Sequence, residues 1–169
     1  MKLEEVFDIV RRKRLAVVST VHDSGAPEAA LVGFALTERN EVVFDTLGSS
    51  RKAVNIAREP AAALVIGWDN DITVQIEGVP RRPQGDDLAY AKTAYYREWP
   101  DGRARENWPD IAYIVVKPRW MRYANYAGAP VIEEFTVLLR PDDGGDLLQV
   151  SYQPLCGRWV DAGQEHAEL

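Results

Sequence analysis

Val42-Val43-Phe44-Asp45-Thr46-Leu47-Gly48-Ser49-Ser50-Arg51-Lys52-Ala53-Val54-Asn55-Ile56-Ala57-Arg58-Glu59-Pro60 divides into three parts. Glu41 to Thr46 reads as a strand, Leu47 to Ser50 as a loop of small residues, and Arg51 to Arg58 as a short helix stopped by Pro60. Ser50 is the expected N-cap, because its hydroxyl can accept from an unpaired amide of the first turn. A strand that delivers hydroxyls into a glycine-containing loop at a helix start suits an anion, since the first helical amides have no internal partner. Arg51 and Lys52 oppose the helix dipole at that end, at about 0.3–1 kcal/mol each when exposed. Beside the hydroxyls of Thr46, Ser49 and Ser50, two such cations are what a bound phosphate would stabilise. Composition and spacing alone allow an equal alternative, a capped helix with solvated basic side chains.

Outward from this stretch the chain reads as mainly β. Before it, Leu3, Val6, Phe7 and Val10 fall at helical spacing and predict an amphipathic helix near Lys2 to Lys13. Leu15 to Val21 and Glu28 to Leu36 are two strands joined by the turn Asp23-Ser24-Gly25, and Thr37 to Asn40 turns into the opening strand. After it, Ala61 to Trp68 is a continuous apolar run that predicts a strand buried on both faces, and Asp69-Asn70-Asp71 leads tightly into a strand from Ile72 to Arg82. A second helix starts at the cap candidate Asp86 and ends near Trp99, before Pro100-Asp101-Gly102. A polar loop runs to Asp110. Ile111 to Val116 and Arg119 to Tyr126 are two strands separated by Lys117-Pro118, and Glu134 to Leu139 pairs with Leu147 to Tyr152 around a turn at Asp142 to Asp146. From Pro154 no period is visible. Strands outnumber helices and are joined mostly by short turns, which predicts an antiparallel barrel rather than a parallel sheet.

A chain of 169 residues fits one domain with a substantial core. The longest apolar run, Ala61 to Gly67, is far too short to span a bilayer, and Met1 leads into Lys2-Leu3-Glu4-Glu5 without a signal pattern, so no membrane association and a cytoplasmic location are expected. The single Cys156 excludes an internal disulfide and a paired-cysteine metal motif. A net charge of −6 disfavours nonspecific binding to nucleic acid, and the basic run Arg11 to Arg14 falls at a helix end, where the dipole favours cations.

Other chemistries find little support. Ser19, His22 and Asp23 lie close in sequence, but neighbouring strand residues face opposite ways and no Gly-x-Ser-x-Gly is present. The histidines are His22 and His166 alone, Asp69-Asn70-Asp71 lacks the glycine and distal glutamate of a calcium loop, and no metal site is expected. Glu133 and Glu134 are adjacent and do not form a general acid/base pair. No glycine fingerprint or βαβ alternation indicates a Rossmann unit.

Phe44-Asp45-Thr46-Leu47-Gly48-Ser49-Ser50-Arg51-Lys52-Ala53, followed by Asn55-Ile56, Pro60, Trp68 and Ile76-Glu77-Gly78, resembles the pyridoxamine 5'-phosphate oxidase-like flavoprotein family over roughly Leu3 to Tyr126. The resemblance implies an antiparallel split β-barrel of the FMN-binding type over residues 1–126, with residues 127–169 as a C-terminal extension packed on it or trailing from it. It also implies a homodimer holding FMN between subunits, flavin-mediated hydride transfer and a small-molecule substrate. Carried over by position, Arg51 and Lys52 bind the FMN phosphate, with Thr46, Ser49 and Ser50 on the same side. The backbone of Ala30, Leu31, Val32 and Gly33 lines the flavin ring. Asp45 stands where some relatives have an aromatic residue, and either Thr73 or Gln75 takes the place of a ring-contacting glutamine. Trp68, Trp108 and Trp120 are candidate walls of the groove. The arginine- and histidine-rich ending of the oxidase itself is missing, since Pro130 to Leu169 carries only Arg140, Arg158 and His166, so pyridoxamine phosphate is not the first choice of substrate. A deazaflavin coenzyme is the second cofactor option. A non-catalytic or stress-related flavin-binding protein is the reading from another functional class.

Overall fold

The computed structural model describes residues 1–139 and 147–154, with side chains through Val137. The elements in chain order are α1 (Leu3–Arg11), β1 (Leu15–Val21), β2 (Pro27–Leu36), β3 (Val42–Leu47), α2 (Arg51–Arg58), β4 (Ala62–Ile66), β5 (Ile72–Arg81), α3 (Gly85–Glu98), a 3-10 turn (Pro100–Arg105), β6 (Ile111–Asn125), β7 (Val131–Leu139) and β8 (Leu147–Pro154). The strands hydrogen-bond in the order β3-β2-β1-β4-β5-β6-β7-β8, every pairing is antiparallel, and β3 also pairs with β6. That last pairing closes β1 to β6 into the expected antiparallel barrel, with β7 and β8 continuing from β6.

Strand alternation sorts the residues into two environments. Ala16, Val18, Val32, Phe34, Val42, Phe44, Leu64, Ile66, Val74, Ile76, Ile114 and Met121 point inward and form the main core. The apolar stripe of α1 joins them, with Leu3, Val6, Phe7 and Val10 all buried. Glu4 and Glu5 at the start of α1 and Arg11 at its end complement the helix dipole. A second cluster lies on the outer face, where Ala91, Ala94, Tyr95 and Tyr96 of α3 cover Ala35, Val43, Tyr113 and Val115. Thus α3 shields the outside of β2, β3 and β6.

Four expectations are revised. The apolar strand β4 is buried on one face only, since Ala62, Leu64 and Ile66 point into the core while Ala63 and Val65 are exposed. The Lys117-Pro118 break is absent, because Ile111 to Asn125 forms one strand. A bulge makes this possible: Glu77 faces Trp120 while Gly78 faces Pro118, so Arg119 is the extra residue and proline meets the ladder where it is already irregular. Gly78 is needed there, since a Cβ would lie 2.5 Å from the Lys117 carbonyl oxygen. The basic run after α1 is also more than a solvated terminus. Arg11 donates to Asn40 (3.0 Å), Lys13 pairs with Asp69, and Arg14 stacks over Trp99 at 4.3 Å. The cap of α3 moves from Asp86 to Gln84, with Asp86 and Asp87 in the first turn. The turn expected at Asp142 to Asp146 and the stretch after Pro154 lie outside the described residues.

Candidate functional site

Helix α2 closes the end of the barrel where β2 begins and β3 ends. Ile56 enters the core, and Asn55, 3% exposed, donates from Nδ2 to Thr20 Oγ1 (3.0 Å) and to Glu28 Oε2 (2.9 Å). Ser50 is the N-cap, accepting from the Ala53 amide at 3.4 Å. Around it the inward-facing hydroxyl of Thr46 lies 3.0 Å from Ser50 Oγ and accepts from Lys52 Nζ at 3.1 Å. Beside this cluster opens a cavity of about 240 Å³ lined by Thr20, Glu28, Ala30, Arg51 and Lys52 among others. No acid stands in the first turn of α2, and Arg51 is paired with Glu28 across the cavity.

The loop before α2 is held from a distance. Asp110, at φ 67°, accepts from the Gly48 amide through its carbonyl (2.7 Å) and from the Ser49 amide through Oδ2 (2.6 Å). Ser49's hydrogen bonds, with a smaller contribution from Arg82, hold the Asp110 carboxyl below the usual carboxylate range. Gly48 leaves room for this approach, since a Cβ would lie 2.5 Å from Asp110 Oδ1 and would have to push that carboxylate aside. Ser49 is therefore fixed as part of the loop, while Thr46, Ser50 and Lys52 form the polar cluster proper.

The remaining expected residues divide between faces. Ala30 lines the cavity, Val32 is buried in the core, and Leu31 stands outward at 61% exposure. Gly33 is covered by Trp99, whose Nε1 donates to the Phe34 carbonyl at 2.9 Å. A Cβ at Gly33 would come within 2.7 Å of the Trp99 ring. Gly33→Ala is therefore expected to destabilise the protein by about 1–3 kcal/mol, read as a lowered melting temperature. An unchanged melting temperature would show that Trp99 can leave this place freely.

Thr73 and Gln75 also face outward. Leu31 pairs with Val17, Val17 with Val65, and Val65 with Gln75, so Gln75 lies three strands from Leu31, about 14 Å away at the usual strand spacing. Within one chain neither Thr73 nor Gln75 joins the α2 cluster. Leu15, Val21, Leu31 and Val65 leave an exposed apolar patch on this face, outside the cover of α3. A second cavity of about 400 Å³ lies beside it, between Ser19, Ala61, Ala63, Glu77 and Arg119. Trp68 and Trp108 are half exposed, line neither cavity, and are not brought together with the cluster. Trp120 stands opposite Glu77 on the outer face.

Asp45 looks the other way from Thr46. Its Oδ1 accepts from Tyr95 Oη (2.8 Å) and its Oδ2 from Arg105 Nε (3.0 Å), which ties β3 to α3 and the 3-10 turn. Burial, and then Asp45, push the Tyr95 hydroxyl far above its ordinary range, so it stays a neutral donor. Tyr96 and Tyr113 share a hydrogen bond of 2.6 Å next to it. The residues that sequence reasoning missed are Glu28, Asn55 and Asp110. Only the polar Asn55 inside an otherwise apolar helix face offered a signal.

Among known proteins, the family model described as Pyridoxamine 5'-phosphate oxidase matches residues 3–125. No curated protein sequence matches the chain. Several solved structures share the fold. A heme binding protein from Mycobacterium smegmatis is 23% identical with a TM-score of 0.70, over 79% of this chain and 57% of that one. A pyridoxamine 5'-phosphate oxidase-related, FMN binding protein from Nostoc punctiforme is 16% identical with a TM-score of 0.62, over 88% and 90% of the two chains. General Stress Protein 26 from Bacillus anthracis is 21% identical with a TM-score of 0.58, over 73% and 94%. The chain thus spans little more than half the length of the mycobacterial protein. With the family model covering β1 to β6 and all three helices, the chain belongs to the pyridoxamine 5'-phosphate oxidase-like split-barrel family.

Proposed function

We propose that the protein binds FMN and serves as a flavin-dependent oxidoreductase acting on a small molecule, as a homodimer with the cofactor between subunits. The observation that carries this reading is the cluster at the start of α2, where Lys52, Thr46 and Ser50 converge beside a cavity next to Arg51. Its donors fit a phosphate: two cations, hydroxyls, and first-turn amides with the positive end of the helix dipole. At about 240 Å³ the cavity suits a phosphate and its first attached atoms rather than a whole flavin nucleotide. The exposed apolar patch around Leu31 and Val65, on the outer face of the same strands, is the surface offered to a second copy.

Bound FMN supplies hydride chemistry. This chain's residues bind and orient. Lys52 and Arg51 anchor the phosphate, Ser50 and Thr46 share it by hydrogen bonds, Asp110 keeps the preceding loop in place, and the β2 backbone at Ala30 and Leu31 offers an edge for the rest of the cofactor. Besides the two cations, the only titratable side chain lining the cavity among the described residues is Glu28. That sparseness favours the second reading, a flavin-binding protein without efficient turnover, since fold and cofactor do not establish catalysis.

The absorption spectrum of purified protein separates these ideas. Flavin bands, with FMN released on denaturation, support the reading, whereas a Soret band would point to heme and deazaflavin absorbance to the other coenzyme. Colourless protein that also ignores added FMN would sink it. Reduction of the bound flavin by NADH or NADPH, followed by turnover with an acceptor, marks an enzyme; flavin that no donor reduces marks a binder. Light scattering after size exclusion is expected to give a dimer mass, and a monomer with flavin bound would contradict the shared site.

A further inference from the structure

Glu28 is out of place in a cavity meant for an anion. It projects inward from β2 with a side chain only 15% exposed, and lines the cavity opposite Arg51 and Lys52 of α2. It is held there from two sides. Asn55 Nδ2 donates to one carboxylate oxygen at 2.9 Å, and the Arg51 guanidinium pairs with the other. Asn55 is itself buried and locked to Thr20, so the position of the carboxylate is specified by the barrel end and not by a loose surface pair. Lys52 differs from Arg51 in this respect, because its hydrogen-bond partner is the neutral hydroxyl of Thr46.

From this arrangement we infer that Glu28 sets the affinity and selectivity of the site by competing with the incoming phosphate for Arg51. The inference rests on the FMN reading for the identity of the ligand, and on the cavity alone for its anionic character. A phosphate approaching Arg51 and Lys52 meets the Glu28 carboxylate, which is largely buried while Arg51 is 78% exposed, and the two like charges repel. Binding must take the guanidinium from Glu28 or share it. The site then admits a phosphate presented by a ligand with further contacts, such as FMN, and discriminates against small free anions that have nothing else to offer.

Glu28→Gln keeps the shape and an acceptor for Asn55 while removing the charge. FMN, riboflavin and inorganic phosphate serve as probes, with flavin fluorescence for the first two and thermal shift for the third. The expected result is FMN binding about 10- to 100-fold tighter in the variant, riboflavin binding unchanged, and stabilisation by inorganic phosphate appearing only in the variant. FMN affinity that stays the same or falls would overturn the inference, as would equal tightening of FMN and riboflavin, which would place Glu28 against another part of the ligand. If neither protein binds FMN but phosphate stabilises the variant alone, the competition stands and the FMN reading fails. If neither protein responds to any probe, both fail. Glu28→Ala, expected to tighten FMN in the same direction, covers the case in which Gln folds poorly.

Discussion

Replacing Arg51 and Lys52 together by alanine is expected to weaken FMN binding by about 3–6 kcal/mol, a loss of about 10²–10⁴-fold, on the scale of two charged hydrogen bonds. The two cations do not contribute alike. Arg51 is already paired with Glu28, so part of its charge is offset before any ligand arrives. Lys52 donates to Thr46 and brings its full charge to the cavity. Lys52→Ala alone should therefore cost more affinity than Arg51→Ala alone. Neither change should disturb the fold greatly, since the buried side of α2 is made by Ala53, Asn55 and Ile56. Affinity and melting temperature measured on the same preparations separate the effects. A double variant that binds FMN as tightly as the parent would remove the phosphate assignment.

The opposite pattern is expected at Asp45. Asp45→Ala leaves Tyr95 Oη and the Arg105 guanidinium without the carboxylate that both donate to. Asp45 and Arg105 are 16% and 26% exposed, so the loss falls below that of a fully buried pair, at about 2–3 kcal/mol. For a chain of this size that corresponds to a melting temperature lower by about 5–10 °C. FMN affinity should be unchanged, because Asp45 faces α3 while the cavity opens on the other side of β3. Weakened FMN binding in an otherwise stable variant would return Asp45 to the cofactor site.

Much of the architecture was legible because burial follows simple periods. The stripe Leu3, Val6, Phe7, Val10 and the cap at Ser50 are local features, and both hold in the structure. The strands were legible for the same reason, except where a distant partner decides. Lys117-Pro118 reads as a break in isolation, and only the bulge opposite Gly78, some forty residues earlier, lets proline stay in the strand. In the site, Thr46, Ser50 and Lys52 are close in sequence and meet in space. Asp45 could have been separated from them by alternation alone, since neighbours on a strand face opposite ways. Glu28 could not be found this way. An acidic residue near a strand start reads as solvated, and its burial depends on Asn55 from a helix twenty-seven positions later. Asp110 is further still, sixty-one positions from the Ser49 amide that it holds.

The most direct test is a parallel titration of the flavin-free protein with FMN and riboflavin. The two ligands differ only in the phosphate, so their affinity ratio reads the α2 cluster without reference to any reaction. The expected result is stoichiometric FMN binding at an affinity well above that for riboflavin, with the preference lost in the Arg51→Ala, Lys52→Ala protein. Equal affinity for the two flavins, or binding of neither, would contradict a phosphate site at the start of α2.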